Sequence, residues 1–337
     1  MKTSRVLIIA EAGVNHNGDV VLAKKLIDAA VESGADMVKF QTFQTELNIS
    51  KNAPKAAYQI FQENTESQYD MIKKLELSQN DFKDLFEYAK EKSIQFCSTP
   101  DDLASVDFLD SIGLAVFKIG SGEITNLPLL RRVGSKKKNV ILSTGLSTMD
   151  EVRTALDILI NAGTDKNNIC LLHCTSEYPA PLSSVNLKAM VAMRETLGVR
   201  VGYSDHTLGC EAAVVAVALG AEVIEKHLTL DRTMKGPDHQ ASCEPQELKE
   251  LVRVVRGVEE CLGSGVKQAA NVELKNIAVI RRSIVAARPI RKGQIISEQD
   301  ILAKRPGTGL SPMVWDTVVG TKAVKDFNTD EFIVKEL

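Results

Sequence analysis

Short β-rich runs alternate with helical patterns from residue 6 to about residue 263, and this alternation constrains the fold more than any other feature. The pattern predicts eight strands at residues 6–10, 37–41, 94–98, 116–119, 140–143, 169–173, 199–203 and 223–227. Eight βα units in about 260 residues are the number and length expected of a (β/α)8 TIM barrel. A doubly wound sheet is the alternative, but no GxGxxG motif follows the first strand.

The segment 201–230 carries a pair of histidines at two neighbouring strand ends. Its central pattern, residues 210–219, is aliphatic on nearly every side, as expected of the crossover helix of a parallel unit. The two flanking strands then lie side by side, and His206 and His227 reach the same edge of the sheet. A single histidine is more often structural than a ligand. The pair predicts a divalent metal, and two ligands indicate an open catalytic site for manganese, magnesium or zinc.

An acid lies close before each of these histidines, Asp205 before His206 and Glu225 before His227. Metal-ligating histidines commonly donate their second ring N–H to a carboxylate, which fixes the ring tautomer. We therefore expect Asp205 and Glu225 to orient the two imidazoles.

Polar side chains follow almost every predicted strand, where TIM barrels build their active sites. Two of them are lysines within strand tips, Lys39 and Lys118, and a buried ammonium group is costly unless an anion answers it. The lysines therefore predict an anionic substrate. The loops Gly120–Gly122 and Ser143–Gly145 offer backbone donors and hydroxyls that could cradle a phosphate.

Composition excludes several functional classes. The formal net charge of -3 gives no basic footprint for nucleic acid or anionic membrane, and no segment is long and apolar enough to predict a transmembrane helix. The six cysteines have no CxxC spacing and predict buried thiols in a reducing compartment. We expect a cytoplasmic protein.

The chain changes character after the barrel pattern. We predict a barrel domain at residues 1–263, a linker at 264–282 and a small β-rich domain at 283–337 in which Arg305 lies on a Pro/Gly-rich turn. Within the barrel region, residues 42–71 are too long for an ordinary βα connection. This segment predicts either a substrate loop, with Tyr58, Gln59 and Asn64 as polar candidates, or a plain surface excursion.

Motifs spread over the whole chain resemble those of the sialic acid synthase family, which includes N-acetylneuraminate, legionaminate and pseudaminate synthases. In order they are IIAEAGVNHNGD, GADMVKFQTF, FKIGSGEITN, ILSTGL, LLHCTSEYPAP, GYSDHTLG, IEKHLTLD, GPDHQAS and KRPGTG. The resemblance implies a (β/α)8 barrel followed by an antifreeze-like (SAF) domain and a homodimer with a domain-swapped C-terminal module. It also implies a phosphoenolpyruvate-dependent transferase that joins phosphoenolpyruvate to an N-acylated mannosamine-type sugar, forming a C–C bond and releasing phosphate.

The resemblance further implies roles for individual residues. His206 and His227 match the ligands of a divalent metal, most often Mn2+, with Mg2+ or Co2+ as alternatives. Positions that match phosphoenolpyruvate contacts are Lys39, Thr99, Lys118, Ser121, Ser143, Ser176 and Ser204. Positions that match the sugar site are Glu11, Gln41, Asn64, Tyr178 and Asp238, together with Arg305 from the tail module of the partner. Glu11, Glu123 and Glu225 are the candidates for proton transfer.

Two other functions stay open from the residues alone. A Schiff-base aldolase is one, because Lys39 and Lys118 lie where barrel lysines form imines with pyruvate. A binding protein whose tail engages another surface is the second. The sugar is also open: the stretches KAAYQ and HCTSEY resemble the legionaminate branch, whose substrate is a 2,4-diacetamido-6-deoxy sugar, and N-acetylmannosamine is the alternative.

Overall fold

Eight parallel strands close into a barrel in the order β1 to β8, which confirms the predicted (β/α)8 fold. The structure, a computed structural model, describes residues 5–54 and 67–335. The strands are β1 Leu7–Gly13, β2 Met37–Thr42, β3 Gln95–Pro100, β4 Val116–Ile119, β5 Asn139–Ser143, β6 Ile169–His173, β7 Arg200–Asp205 and β8 Val223–His227. The last strand pairs with the first, so no strand edge is left unpaired in the barrel.

Helices on the outside of the barrel connect the strands. They are α1 Val20–Glu32, α2 Thr45–Asn48, α3 Gln68–Lys73, α4 Gln79–Glu91, α5 Leu103–Ser111, α6 Leu127–Ser135, α7 Met149–Ala162, α8 Lys188–Leu197, α9 Glu211–Ala218 and α10 Pro245–Leu262. Residues 55–66, which include the candidates Tyr58, Gln59 and Asn64, lie outside the described residues.

Local sequence fixes where these helices begin. The side chain of Asp19 accepts a hydrogen bond from Val21 N at 2.7 Å and caps α1. Ser78 and Asp81 form a reciprocal capping box at the start of α4. Pro245 occupies the first turn of α10, a position where its missing N–H costs nothing.

The inward-pointing side chains, which are two residues apart along each strand, form an apolar layer and a polar layer in the barrel interior. The lower layer is apolar and contains Ile9, Met37, Cys97, Ile141, Cys170, Leu172 and Val223. A methyl group on Gly202 would lie 2.7 Å from Leu172 Cδ2 and 2.4 Å from Val223 O, so only glycine fits beside this layer. Two residues further along most strands, toward their carboxyl ends, the interior becomes polar, as at Glu11, Lys39 and Glu225.

The C-terminal unit comprises residues 265–337, whereas residues 1–264 form the barrel unit. Strands β9 Ser283–Ala286 and β10 Ile301–Lys304 pair antiparallel over a small core. The buried core residues are Ile284, Ala286, Ile290, Ile296, Ile301, Val318, Ala323, Phe327 and Ile333. The predicted linker contains a helix, α11 Asn271–Ile280, in which no residue is buried. Its apolar residues do not follow a core-facing period, which is why the sequence pattern indicated a linker.

In the two described ranges, no helix combines the length and the apolar character needed to cross a bilayer. All six cysteines are free thiols. Four are buried, but Cys210 is half-buried and Cys261 is exposed, so the expectation that all six are buried was wrong for these two.

Candidate active site

The polar layer at the carboxyl ends of the strands contains an ion-pair network that joins β1, β2, β4 and β8. Lys39 Nζ lies 2.6 Å from Glu11 Oε2 and 3.8 Å from Glu225 Oε2. Lys118 Nζ lies 3.6 Å from Glu225 Oε1. All four side chains are at most 5 % exposed, so water screens these charges poorly. As the sequence predicted, both lysine side chains lie inside the mouth of the barrel, where both face Glu225.

Glu225 is the central carboxylate of this network. Its Oε1 accepts a hydrogen bond from the Ser204 hydroxyl at 2.9 Å, in addition to facing the two lysines. Burial alone would raise the pKa of Glu225, but Lys118 and Lys39 together hold it at about 2. This carboxylate therefore carries a permanent negative charge at neutral pH.

The pKa of Glu11 is shifted in the opposite direction from that of Glu225. Its Oε1 accepts a hydrogen bond from Gln41 Nε2 at 3.1 Å. Burial raises the pKa of Glu11 above its ordinary value, and the nearby Glu225 adds to this effect although Lys39 opposes it. Burial alone would lower the pKa of Lys39, but Glu11 and Glu225 raise it above the usual range. The network thus contains one carboxylate whose pKa is held low and one whose pKa is raised.

Hydroxyl groups surround the two lysines. Thr99 Oγ1 accepts from Lys39 Nζ at 3.3 Å, and Ser143 Oγ accepts from Lys118 Nζ at 2.7 Å. Thr99, Ser143 and Ser204 are all buried. The structure therefore groups three predicted hydroxyl residues with both predicted lysines.

A second cluster of polar atoms surrounds the backbone of Gly145, at the exit of β5. Ser121 Oγ accepts from Gly145 N at 3.0 Å. A methyl group on Gly145 would lie 2.3 Å from Ser176 Oγ, 2.9 Å from Ser121 Oγ and 3.0 Å from Cys174 Sγ. We name this cluster, Ser121, Gly145, Cys174 and Ser176, the Gly145 cradle. Sequence reasoning singled out its two serines and overlooked Cys174.

His206 and His227 face each other across the ends of β7 and β8. Their ring centroids are 5.5 Å apart, and the Tyr178 ring lies 4.2 Å from the His206 ring and 5.6 Å from the His227 ring. Burial lowers the pKa of both histidines to about 3, so both imidazoles are neutral at pH 7. Neutral imidazoles are the form that binds metals.

The hydrogen bonds of the two rings fit a metal site. His206 Nδ1 donates to Thr175 O at 2.7 Å, which places the ring lone pair on Nε2, and Nε2 lies 3.4 Å from Ser204 Oγ. His227 Nδ1 is buried and has no hydrogen-bond partner. Among the described residues no cluster of three or more His, Cys, Asp or Glu side chains could hold a metal. The structure brings together the two histidines that the sequence predicted as metal ligands.

The prediction that Asp205 and Glu225 orient the two imidazoles was wrong. The ring of His206 is oriented by a backbone carbonyl, whereas Asp205 pairs with Lys226 Nζ at 2.8 Å on the outer face of the barrel. The strand alternation explains this, because residues 204 and 205 must point to opposite faces. Glu225 faces the lysines instead of fixing the tautomer of His227.

The remaining predicted residues lie at the edges of this site or outside it. Burial and the nearby Glu11 raise the pKa of Asp238 to about 6, which places Asp238 close to the ion-pair network. Glu123 bonds instead to Asn126 Nδ2, at 2.5 Å. Arg305 belongs to the C-terminal unit, where its Nε donates to Ile280 O at 3.0 Å.

Sequence reasoning also missed an acid at the exit of β3. Burial and the nearby Glu123 raise the pKa of Asp101 to about 8, and Lys39 and Glu11 are close enough to influence it. The available signal was its position directly after the strand-end motif Ser98-Thr99-Pro100.

Comparisons with known proteins agree with this geometry. Residues 26–267 match the model of the NeuB family, and residues 281–337 match the SAF domain. The N,N'-diacetyllegionaminic acid synthase of Campylobacter jejuni is 52 % identical over 98 % of this chain and 99 % of its own length. The enzyme of the same name from Legionella pneumophila is 48 % identical over 94 % of this chain and 89 % of its own length.

A solved structure extends the likeness to the fold. The N-acetylneuraminic acid synthetase of Leptospira borgpetersenii, determined in complex with citrate, has a TM-score of 0.72 and 36 % sequence identity. The match covers 82 % of this chain and 91 % of that one.

Proposed function

Because the chain belongs to the NeuB family of sialic acid synthases, we propose that it is an N,N'-diacetyllegionaminate synthase. The reaction joins phosphoenolpyruvate, 2,4-diacetamido-2,4,6-trideoxymannose and water to give N,N'-diacetyllegionaminate and phosphate. The chain is thus a nonulosonic acid synthase, and the proposal concerns which sugar it uses.

The observation that carries the choice of sugar is the gap in sequence identity. The two diacetyllegionaminic acid synthases are 52 % and 48 % identical to this chain, whereas the N-acetylneuraminic acid synthetase is 36 % identical. Both legionaminic acid synthases match over nearly the whole chain, so the difference does not come from one domain. N-acetylmannosamine is the second candidate, favoured by the overall likeness of the barrel to the N-acetylneuraminic acid synthetase.

The charge of the buried network supports phosphoenolpyruvate as the partner. Lys39 and Lys118 bring two ammonium groups, and Glu225 brings one permanent negative charge. When Glu11 is protonated, the two ammonium groups and the single carboxylate of Glu225 leave one net positive charge, which suits an anion. The hydroxyls of Thr99, Ser143 and Ser204 and the Gly145 cradle add hydrogen-bond donors for its phosphate and carboxylate groups.

Proton transfer follows from the unequal carboxylates. C3 of phosphoenolpyruvate attacks the sugar aldehyde, and the developing alkoxide takes a proton. The attack leaves an oxocarbenium-like centre at C2, to which water adds before the C2–O bond to phosphate breaks and phosphate leaves. We assign this proton to Glu11, whose protonated form burial favours. Glu225 stays ionised and holds both lysines in place. The share of Glu123 in proton transfer rests on the family resemblance, as do the sugar contacts of Gln41, Asn64, Tyr178 and Asp238.

We propose that His206 and His227 hold a divalent metal, with Mn2+ the first choice and Mg2+ or Co2+ as alternatives. When bound, the metal would supply Lewis-acid polarisation of the sugar aldehyde. The Nε2 lone pair of His206, set by the bond from Nδ1 to Thr175 O, and the unpartnered Nδ1 of His227 support this assignment. Tyr178 packs against both rings and limits their motion.

The imine alternative has less support. Imine formation requires a neutral amine, and Glu11 and Glu225 stabilise the ammonium form of Lys39. Lys118 Nζ also faces a carboxylate, Glu225 Oε1, at 3.6 Å.

We propose a catalytic barrel at residues 1–263, a connection at 264–282 and an SAF domain at 283–337, acting as a cytoplasmic homodimer. In the dimer, Arg305 would reach the N-acyl group from the partner's C-terminal module.

Exposed leucines at the barrel mouth support the proposal that the partner's module covers the mouth. One such leucine follows each strand from β2 to β7. They are Leu47, Leu103, Leu127, Leu146, Leu182 and Leu208. Free thiols throughout support a reducing compartment.

A sugar comparison tests the proposal. Purified protein with Mn2+ and phosphoenolpyruvate is given either the diacetamido sugar or N-acetylmannosamine, and phosphate release is measured. We expect kcat/KM to be at least about tenfold higher for the diacetamido sugar. A preference for N-acetylmannosamine would overturn the sugar assignment. Release of no phosphate with either sugar would overturn the synthase activity itself.

A further inference from the structure

Lys226 is a buried lysine on the outer face of the barrel, between two residues of the inner site. Glu225 and His227 point into the barrel, and the strand alternation turns Lys226 to the other side. The residue is 4 % exposed. Its neighbours on this outer face, such as Ile224 and Ala10, belong to the apolar core beneath the helices. An ammonium group among them is costly unless specific partners compensate it.

Each partner of the Lys226 ammonium lies close to His206. Nζ donates to Asp205 Oδ2 at 2.8 Å, to the carbonyl of Thr207 and to Gly209 O at 3.2 Å. An ammonium group has three N–H donors, so these bonds use its full capacity. A residue of β8 thus fixes the loop that carries the metal ligand of β7.

Asp205, which precedes His206, is hydrogen-bonded to Thr207 as well as to Lys226. Its Oδ1 accepts from Thr207 N at 2.9 Å and from Thr207 Oγ1 at 2.8 Å. The two residues flanking His206 are therefore tied to each other, and both are tied to Lys226. The backbone of His206 accepts a further bond from Ala180 N at 2.9 Å, and its ring Nδ1 donates to Thr175 O at 2.7 Å, which restricts rotation of the side chain.

Packing alone does not hold this loop. A cavity of about 270 Å³ lies behind it, lined by Thr207, Leu208, Gly209 and Cys210 on one side and by residues 241–251 on the other. Lys226 also borders the cavity. Because one side of the loop faces open space, its position depends on hydrogen bonds: those of Lys226 and Asp205, and the bond from Ala180 N to His206 O at 2.9 Å.

We propose that Lys226 is a positioning residue that sets the geometry of His206 through Asp205, Thr207 and Gly209, and thereby the affinity of the metal site. The inference rests on the proposed metal ligands. Residues that orient metal ligands typically contribute about 10- to 100-fold to metal affinity.

The test measures Mn2+ binding to metal-free protein by calorimetry or electron paramagnetic resonance. Lys226→Met is expected to weaken Mn2+ binding by about 10- to 100-fold. Saturating Mn2+ should then restore much of the turnover, because the residues that contact phosphoenolpyruvate are unchanged. Lys226→Arg keeps the charge and should also bind Mn2+ weakly, since a planar guanidinium cannot meet the same three acceptors.

Removing Lys226 alone leaves the Asp205 carboxylate buried without its cation, which could prevent folding. The double variant Asp205→Asn/Lys226→Met avoids this charge. Thr207→Val removes only one hydroxyl bond to Asp205 and is expected to weaken Mn2+ binding by a smaller factor. Wild-type Mn2+ affinity in the folded double variant and in Thr207→Val would overturn the proposal.

Two controls separate the possible failures. Lys136→Met removes an ion pair with Asp107 and Asp110 on the outer helices and should leave Mn2+ affinity unchanged. His227→Ala should abolish Mn2+ binding. If His227→Ala still binds Mn2+ normally, the metal assignment fails, whereas a normal Lys226 variant beside a defective His227→Ala variant defeats only the positioning role.

Discussion

Lys39 and Glu11 form a buried ion pair across neighbouring strands, with Nζ 2.6 Å from Oε2. The two residues are directly paired in the register of β1 and β2. Their closeness follows from strand order and register alone, and it brings the ammonium group of a proposed phosphoenolpyruvate contact next to the proposed proton donor.

Lys39→Met should damage both stability and catalysis. Without the ammonium group, Glu11 loses its ion-pair partner and Glu225 loses one of two. We expect the free energy of unfolding to fall by about 3–5 kcal/mol, the usual cost of leaving a buried charge unpaired. We expect kcat/KM for phosphoenolpyruvate to fall by at least about 100-fold. Urea unfolding and phosphate release measure the two effects.

The double variant Lys39→Met/Glu11→Gln separates these effects. It removes both charges of the pair and should regain part of the lost stability. It should regain none of the lost activity. A double variant no more stable than Lys39→Met would contradict the ion-pair explanation.

Gly145→Ala should impair phosphoenolpyruvate binding without unfolding the barrel. The added methyl group would lie within 3.0 Å of Ser121 Oγ, Cys174 Sγ and Ser176 Oγ, so these side chains must turn away from the cradle. Gly145 does not adopt a positive φ, so its backbone accepts alanine. We expect KM for phosphoenolpyruvate to rise about 10- to 100-fold, because hydrogen bonds to charged groups contribute roughly 1.5–3 kcal/mol.

The matched control for this variant is Gly257→Ala. Gly257 lies in helix α10, and a methyl group there would meet no atom within 4 Å. Alanine should raise helix stability slightly and leave KM unchanged. Equal KM values for phosphoenolpyruvate in the two variants would contradict a role for the Gly145 cradle in binding the phosphate.

Asp238→Asn should change how stability depends on pH. An ordinary aspartate releases its proton near pH 3.8, whereas Asp238 in the folded protein keeps it until about pH 6. Between these values the folded state binds more protons than the unfolded state, so the Asp238 contribution lowers the unfolding free energy as pH rises. Above about pH 6 the loss is complete.

The asparagine variant lacks this contribution. Its stability relative to the wild type should therefore improve from pH 4 to pH 6 and then stay constant, as measured by urea unfolding at several pH values. Asp84→Asn, at an exposed position of α4, is the control and should follow the wild-type profile. A constant difference between Asp238→Asn and the wild type across this range would count against the raised pKa.

Much of the barrel could be predicted because its signals are local. The predicted strands 116–119, 169–173 and 223–227 match β4, β6 and β8 residue for residue. Once strand order is known, alternation alone puts Lys39, Lys118 and Glu225 on the inner face. The sequence therefore predicted a cationic mouth before any distance was known.

Other features depend on contacts that a linear pattern does not contain. The partner of His206 Nδ1 is a backbone carbonyl 31 residues away, and every residue type offers a carbonyl. Cys174 joins the Gly145 cradle because β5 and β6 are neighbours, although a lone cysteine gave no signal. Asp205 was assigned to the wrong face because its adjacency to His206 was read as a contact.

His227→Ala should abolish metal retention and leave the fold intact. His173→Ala should retain the metal and lower the stability of the fold. Both histidines end a barrel strand, but His227 faces inward with a buried Nδ1 that has no hydrogen-bond partner, whereas His173 Nε2 bonds to Val185 O at 2.7 Å. Removing the His227 ring therefore breaks no bond at Nδ1, and removing the His173 ring deletes a bond worth about 1 kcal/mol.

Metal analysis after gel filtration should find Mn2+ in His173→Ala and in the wild type but not in His227→Ala. Thermal unfolding should show the larger loss of stability in His173→Ala. Equal Mn2+ content and equal turnover in the two variants would refute the role of His227 as a ligand.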